Sequence, residues 1–395
     1  MGQAPWESLS DQEVPKVIAQ AMRHHHPAGD SAMGVPAIFL ALSIAMCACS
    51  SQPEPQTGNT PWGINLAGAE FGEDVEGFSA ANPGRFDEAY TWNSEATIAY
   101  FAGRGLHQFR VPFRWERLQP VPGGELNPVE LGHLRQLVGW AAKHNSEVIL
   151  DLHNYGRYVL DRDGAPFSVV IDQRIDGAVP VTRSHFADLW ARLSAVFQDE
   201  PVVWAYGLMN EPHDMGGSSW KLISQAAVDA IRGRGDTKRI LVAGDRWSSA
   251  AHWRAANGAV AWIDDPVDRT LYEAHLYIDS DGSGKYRASF DNEMSRDPGF
   301  MSRPIQRLEP FITWCRENRV QGFLGEFGVP VRDPRWAPLL ETLLARLSAA
   351  GMGGTYWAAG EWWGTYPLSL QPTEDFQDAP ELLDVLLGVA PKGPR

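Results

Sequence analysis

Eight times between Trp62 and Ala359 a short apolar run gives way to a longer segment with helical spacing. The runs are WGINLA (62–67), HQFRVP (107–112), EVILDLH (147–153), VVWAYGLMN (202–210), RILVAG (239–244), TLYEAHLY (270–277), QGFLGEF (321–327) and GGTYWAA (353–359). The segments between and after them predict helices near 94–104, 128–144, 183–198, 218–232, 246–257, 304–318, 335–350 and 379–388. Strands that read as near-continuous apolar runs are covered on both faces, and alternation with helices builds a parallel sheet. Eight such units predict a closed (β/α)8 TIM barrel rather than an open sheet. No internal repeat of 20 to 50 residues and no second linker interrupt the body, so one α/β domain is expected.

The N-terminal stretch reads differently. VPAIFLALSIAMCA (35–48) is mostly apolar, too short to span a bilayer as an ordinary helix, and fits the core of a signal peptide. It ends at Cys-Ala-Cys-Ser-Ser and continues into the polar linker SSQPEPQTGNTP. A cysteine placed there resembles a bacterial lipoprotein cleavage site, with Ala48-Cys49 the better fit and Cys47 the second. The expected layout is an extension over 1–57, a (β/α)8 domain over 58–388 and a tail over 389–395. The protein is expected to be exported, either secreted or held as an outer-membrane or periplasmic lipoprotein.

Composition narrows the partners. A net charge of −15 argues against nucleic acid, which needs a basic footprint. Of three cysteines only Cys315 lies in the body, so no disulfide within the domain is expected. No CxxC, HExxH or Gly-rich phosphate loop occurs, and neither a metal nor another cofactor is predicted. A monomer is the expectation. Sixteen tryptophans either fill the core or offer flat apolar faces to sugar rings.

In a barrel the C-terminal ends of the strands share one mouth, and the polar residues of these runs fall at those ends. Arg110 closes the second run, and Asp151, His153, Asn154 and Tyr155 close the third. Asn210 and Glu211 close the fourth, His275 and Tyr277 the sixth, Glu326 the seventh and Trp357 the eighth. Two carboxyl groups facing one cavity suit hydrolysis of a glycosidic bond, one kept protonated and one ionised. Near them, an arginine and a tyrosine can hold one acid ionised, an amide can bind a sugar 2-hydroxyl, and an indole can stack on a sugar ring.

The stretches FRVPF, DLHNYGRY, LMNEP, EAHLYIDSDGSG, GEFG and GGTYWAAGEWWGTYPLSLQP, in this order over 62–372, resemble glycoside hydrolase family 5, the cellulase family. The resemblance implies Glu211 as acid/base and Glu326 as nucleophile of a retaining double displacement. It implies supporting roles for Arg110, His153, Asn210, His275, Tyr277 and Trp357. It implies endo-β-1,4-glucanase activity on a β-glucan polysaccharide or oligosaccharide. Mannanase, xyloglucanase or lichenase activity remains an alternative, as does a non-catalytic glycan-binding lipoprotein. Further substrate contacts are expected from Asn154, Tyr155, Asn65, Trp247, Trp253, Trp362 and Trp363, and from Glu70. Asp279, Asp281 and Gly282 superficially resemble a calcium loop, but a turn-rich loop is the expectation.

Overall fold

The computed structural model describes residues 62–376, 380 and 382–388. The 35–48 run, Cys47, Cys49, the linker and the 389–395 tail lie outside the described residues. The strands are β1 (Trp62–Leu66), β2 (Gln108–Phe113), β3 (Glu147–Leu152), β4 (Arg157–Arg162), β5 (Ala165–Val170), β6 (Val203–Gly207), β7 (Arg239–Ala243), β8 (Thr270–Tyr277), β9 (Gln321–Gly328) and β10 (Gly353–Ala359). All except β4 and β5 close into a parallel barrel in the order β1, β10, β9, β8, β7, β6, β3, β2. These are the eight sequence-predicted runs. The largest boundary difference is at β6, predicted to 210 and ending at Gly207. Beyond Gly207 the chain steps between its neighbours: Leu208 N donates to Leu241 O at 3.0 Å, and Asn210 N to Leu152 O at 2.7 Å.

The inside of the barrel is layered, because side chains two residues apart on a strand share a face. Ile149, Ala205, Leu241, Leu271 and Phe323 form an apolar plug. Two residues further along their strands stand Asp151 on β3 and Glu273 on β8, both buried. Two residues further still stand His153 and His275. Strict alternation from Phe323 would turn Glu326 outward. The ladder shifts register between β8 and β9, pairing Ala274 with Leu324 but His275 with Glu326, so Gly325 is the extra residue of a bulge. A Cβ on Gly325 would collide with the Glu273 carboxylate. Only glycine fits there, and the bulge it permits returns Glu326 to the interior.

The helices pack outside. Their starts carry local signals: Ser94 and Asn127 accept from Thr97 N and Val129 N, and Thr182 with His185 makes a reciprocal cap. Trp115, Trp190, Trp253, Trp314 and Trp336 are fully buried, so much of the tryptophan content is core. The hairpin β4–β5, the short helices Trp115–Leu118 and Phe290–Arg296 and the 3-10 turn Phe300–Ser302 were not anticipated. The hairpin turns on Asp163-Gly164, both left-handed with φ of 57° and 82°. That dipeptide between apolar runs was a readable hairpin signal. The helix predicted over 246–257 is present only as Trp253–Asn257. Before it, Arg246, Trp247 and Ser248 are successively left-handed, with φ of 55°, 57° and 51°. Each such residue costs roughly 1–2 kcal/mol, so the surroundings must impose the turn. They do so by bonding Trp247 N to Pro212 O at 3.1 Å, Gly244 N to Ser248 Oγ at 2.9 Å and His275 N to Ser248 O at 2.8 Å.

Candidate active site

The strand ends bring two glutamates together. Glu211 follows β6 with a left-handed φ of 43°, and Glu326 stands on β9 beside the bulge. His275 lies between them, its Nδ1 2.8 Å from Glu211 Oε1 and 3.5 Å from Glu326 Oε2. One oxygen of each carboxylate and one nitrogen of this imidazole all lie within 4.8 Å of one another. Such spacing also suits a cation. However, Tyr277 Oη donates to Glu326 Oε2 at 2.7 Å and Arg110 Nη1 to Glu326 Oε1 at 3.1 Å, so both oxygens are already engaged.

Arg110 is the hub beneath the pair. It is fully buried and touches three carboxylates: Asp151 Oδ1 at 3.0 Å, Glu273 Oε1 at 3.0 Å and Glu326 Oε1 at 3.1 Å. It also donates to Asn65 Oδ1 at 2.9 Å and Asn210 Oδ1 at 2.8 Å. Removing one partner of a buried ion pair is a change of about 3–5 kcal/mol, because the other charge is left without compensation. Arg110 therefore holds the site's architecture as well as its charge.

The titrating groups divide by environment. Burial lowers the proton affinity of His275, but Glu326, Glu211 and Glu273 outweigh it and push its pKa up to about 10. It is an imidazolium at neutral pH, and its Nδ1–H donates to Glu211. His153 goes the other way: burial pushes its pKa down to about 3, so it is neutral. Its Nδ1 lies 2.8 Å from Asp151 Oδ2 and its Nε2 3.1 Å from Asn210 Nδ2. The neutral ring therefore donates from Nδ1 and accepts at Nε2, leaving one Asn210 N–H for the cavity. Burial pushes the Glu326 carboxyl up, and the charges of His275 and Arg110 pull against it. Burial, then the charge of Glu326, holds the Tyr277 phenol well above its ordinary range, so it stays a donor. The Glu211 side chain is 17% exposed and that of Glu326 5%, so the first faces the open cleft more than the second.

A chain of aromatic rings crosses the mouth. Trp357 stacks on His153 at 5.5 Å, His153 meets Tyr155 edge-on at 5.3 Å, and Tyr155 meets His213 at 5.9 Å. His213 then stacks on Trp247 at 4.4 Å and 13°. On the other side Trp363 meets Trp357 at 6.0 Å and stacks on Tyr366 at 4.2 Å. Trp247, 46% exposed, lines a cleft of about 800 Å³ together with Glu211, Tyr155, His275 and Tyr277.

Several expected contacts fall elsewhere. Asn65 is buried, and its Nδ2 donates to Gly325 O at 3.0 Å and Tyr356 O at 3.1 Å while Arg110 occupies its Oδ1. It braces the barrel instead of reaching a sugar. Asn154 is also buried, accepting from Trp115 N at 2.8 Å and donating to Glu116 Oε2 at 2.8 Å. Trp253 belongs to a buried cluster with Phe311, Trp314 and Trp262. Trp362 is 40% exposed but takes no part in the ring chain described above. The loop at Asp279 is turn-rich, with Asp279 accepting from Gly284 N at 3.1 Å and Tyr286 N at 3.2 Å. Glu273 was missed as a site residue. Its i, i+2 spacing to His275 in TLYEAHLY was the available signal.

Glu70 caps a loop, its Oε2 accepting from Gly68 N at 2.7 Å, while its buried Oε1 has no partner. Burial pushes its carboxyl from an ordinary 4.5 to about 8, against the backbone N–H groups of Gly68 and of Glu70 itself. The native state then keeps a proton that the unfolded chain has lost, so stability falls as pH rises between these values. Glu70→Gln removes that dependence. Its Tm should exceed the wild-type value at pH about 8 and match it near pH 4. Equal offsets at both values would mean that Glu70 is ionised in the native protein.

Comparison with known proteins agrees with this geometry. The family described as cellulase (glycosyl hydrolase family 5) matches residues 64–361. Endo-beta-1,4-glucanase A of Emericella nidulans is 33% identical over 339 residues, covering 83% of this chain and 93% of that protein. The crystal structure of Pseudomonas stutzeri endoglucanase Cel5A in complex with cellobiose superposes with a TM-score of 0.71 at 34% identity, covering 85% of this chain and 95% of that one. That of XacCel5A in complex with cellopentaose gives 0.70 at 34% identity, covering 83% and 98%. With a closed eight-stranded parallel barrel and a family match over most of its body, the chain belongs to the cellulases of glycosyl hydrolase family 5.

Proposed function

We propose that the protein is a retaining endo-β-1,4-glucanase, with Glu326 as nucleophile and Glu211 as acid/base. The observation that carries the mechanism is the short separation of the two carboxylates, within 4.8 Å at their nearest site atoms. Retaining enzymes hold them roughly 5–5.5 Å apart, and inverting ones leave room for a water between them. Glu326 attacks the anomeric carbon while Glu211 protonates the departing oxygen. Water then enters as Glu211 takes its proton back, and the ester to Glu326 breaks. The imidazolium of His275 occupies Glu211 Oε1, leaving Oε2 to carry the proton toward the glycosidic oxygen. Arg110 and Tyr277 hold Glu326 ionised and oriented. The remaining Asn210 N–H meets the sugar 2-hydroxyl, a contact that strengthens as positive charge develops on the ring. Trp357 offers the face on which the cleaved sugar stacks.

The substrate class rests on the relatives' names, on the cellobiose and cellopentaose bound by two structural neighbours, and on the ring chain that runs past both glutamates. Rings on both sides of the catalytic pair suit binding within a polymer. Reducing-sugar release from carboxymethyl-cellulose by residues 58–395, beside Glu326→Gln and a panel of mannan, xyloglucan and mixed-linkage glucan, tests this. Release only from another glycan would move the substrate, and release from none would leave a binding protein. Export through the 35–48 segment, with acylation at Cys49, belongs to the same reading.

Trp247, on the wall of the cleft that Glu211 lines, is the proposed platform for a further sugar. Trp247→Ala should raise KM for cellopentaose about 2–10-fold, the scale of one lost ring contact, with kcat little changed. An unchanged KM would take Trp247 out of the substrate path.

A further inference from the structure

The geometry points to Glu273 as a positioning residue of the reaction: its buried carboxylate faces Nε2 of His275, whose other ring nitrogen is aimed at Glu211. This rests on the mechanism proposed above, but its test has a readout independent of turnover.

Glu273 stands two residues before His275 on the same face of β8, one layer deeper in the barrel. Its Oε1 lies 3.5 Å from His275 Nε2 and 3.0 Å from Arg110 Nε, and its Oε2 is buried without a hydrogen-bond partner. Against it lies the backbone of Gly325, where even a methyl group has no room. The Gly325 backbone thus closes that side of the carboxylate.

The groups around His275 come from several strands. Glu211, after β6, and Glu326, on β9, face its Nδ1. Glu273 faces its Nε2. Arg110 on β2, with Asp151 of β3 on its far side, lies behind Glu273. Ser248, after β7, accepts the His275 backbone N–H at 2.8 Å. Tyr277, on the same strand, is committed to Glu326. Glu273 is thus the acid that holds the proton on Nε2. With that proton fixed, Nδ1–H is the second proton of the cation and must point at the catalytic pair. A neutral ring could instead present a lone pair at Nδ1 and take the proton that Glu211 must deliver. Arg110 already has two other carboxylates, Asp151 and Glu326, so its charge does not require a third.

The experiment is ¹⁵N NMR of the His275 imidazole in the full chain, in wild type, Glu273→Gln and Glu273→Asp, with pH profiles of kcat/KM on carboxymethyl-cellulose. In the wild type both ring nitrogens should report an imidazolium at pH about 8, well above the ordinary imidazole range. In Glu273→Gln the ring should lose its proton at least one pH unit lower. The alkaline limb of the profile should move the same way, with kcat at least about tenfold down. Glu273→Asp should recover part of both. A folded Glu273→Gln protein with an unmoved His275 titration and alkaline limb would overturn the proposal, whatever its loss of rate. Should Glu273→Gln not fold, Glu273→Asp is read in its place: a His275 titration and alkaline limb at the wild-type position overturn the proposal, and a downward move of both sustains it. Failure of the wild type to cleave any glycan, with His275 still an imidazolium, would reject the enzymatic reading instead.

Discussion

Glu326→Gln is expected to lose at least about 10⁴-fold in kcat on every β-glucan while keeping its fold. Loss of a covalent nucleophile is among the largest single-residue effects in catalysis, about 10⁶-fold in well-dissected cases. The amide is isosteric; its one oxygen can still accept from Arg110 while its NH2 donates to the Tyr277 hydroxyl oxygen, so the packing around the bulge at Gly325 is retained. What it lacks is the negative charge that attacks the anomeric carbon. The variant should show an unchanged near-UV circular dichroism spectrum, and its loss should be similar for polymer and for aryl cellobiosides, since both reactions form the same glycosyl ester. Residual activity within tenfold of wild type, in a sample free of contaminating enzyme, would remove Glu326 as nucleophile. Loss of the near-UV signal together with activity would call for Glu326→Asp, which keeps the charge but withdraws it from the sugar. That variant should stay folded and remain strongly impaired.

The expectation rests on how the strand carries this residue. GEFG reads in sequence as a lone acid at the end of an apolar run, and simple alternation from Phe323 would aim it outward. The bulge resolves the conflict, and its cause is readable afterwards in Gly325, which only the closeness of Glu273 explains. The barrel itself was legible, because each apolar strand is short and each intervening helix shows its own period. So were the residues at the strand ends, whose polarity breaks the pattern of the run before them. Less legible was the direction of polar side chains within the barrel. Asn65 and Asn154 look like available amides in sequence, yet each is consumed by partners brought together only by closure. Asn65 bonds to Gly325 and Tyr356, more than 250 positions away in the chain. The left-handed turn Arg246–Ser248 was illegible for the same reason. Nothing in DRWSS asks for it; the Pro212 carbonyl, which accepts from Trp247 N, and the His275 N–H, which donates to Ser248 O, impose it.

Layering also explains why this mouth can hold so much charge. Arg110 and the His275 imidazolium face four acids, Asp151, Glu273, Glu326 and Glu211, over an apolar plug. Asp151, Glu273 and Arg110 in the lower layer are fully buried, so each interaction there is stronger than at a surface. The same dryness makes any unpaired member expensive, which ties the catalytic geometry to the stability of the barrel.

Glu211→Ala should separate the two chemical roles. Removing a general acid costs roughly 10²–10⁴-fold when the leaving group needs its proton, and far less when it does not. Cellopentaose and the polymer depart as sugar alkoxides and should suffer the full loss. An aryl cellobioside with an acidic phenol departs without help, so formation of its glycosyl–Glu326 ester should be nearly as fast as in wild type. Its breakdown still needs a base to activate water, and Glu211 is that base. The variant should therefore show a burst of phenol, equal to about one equivalent of enzyme, followed by slow turnover. His275, deprived of its 2.8 Å partner, should also titrate lower than in the wild type. A burst on the aryl substrate with polymer cleavage nearly abolished assigns Glu211 both roles. Equal losses on both substrates without a burst would move the acid/base elsewhere, and the retaining reading would then rest on Glu326 alone.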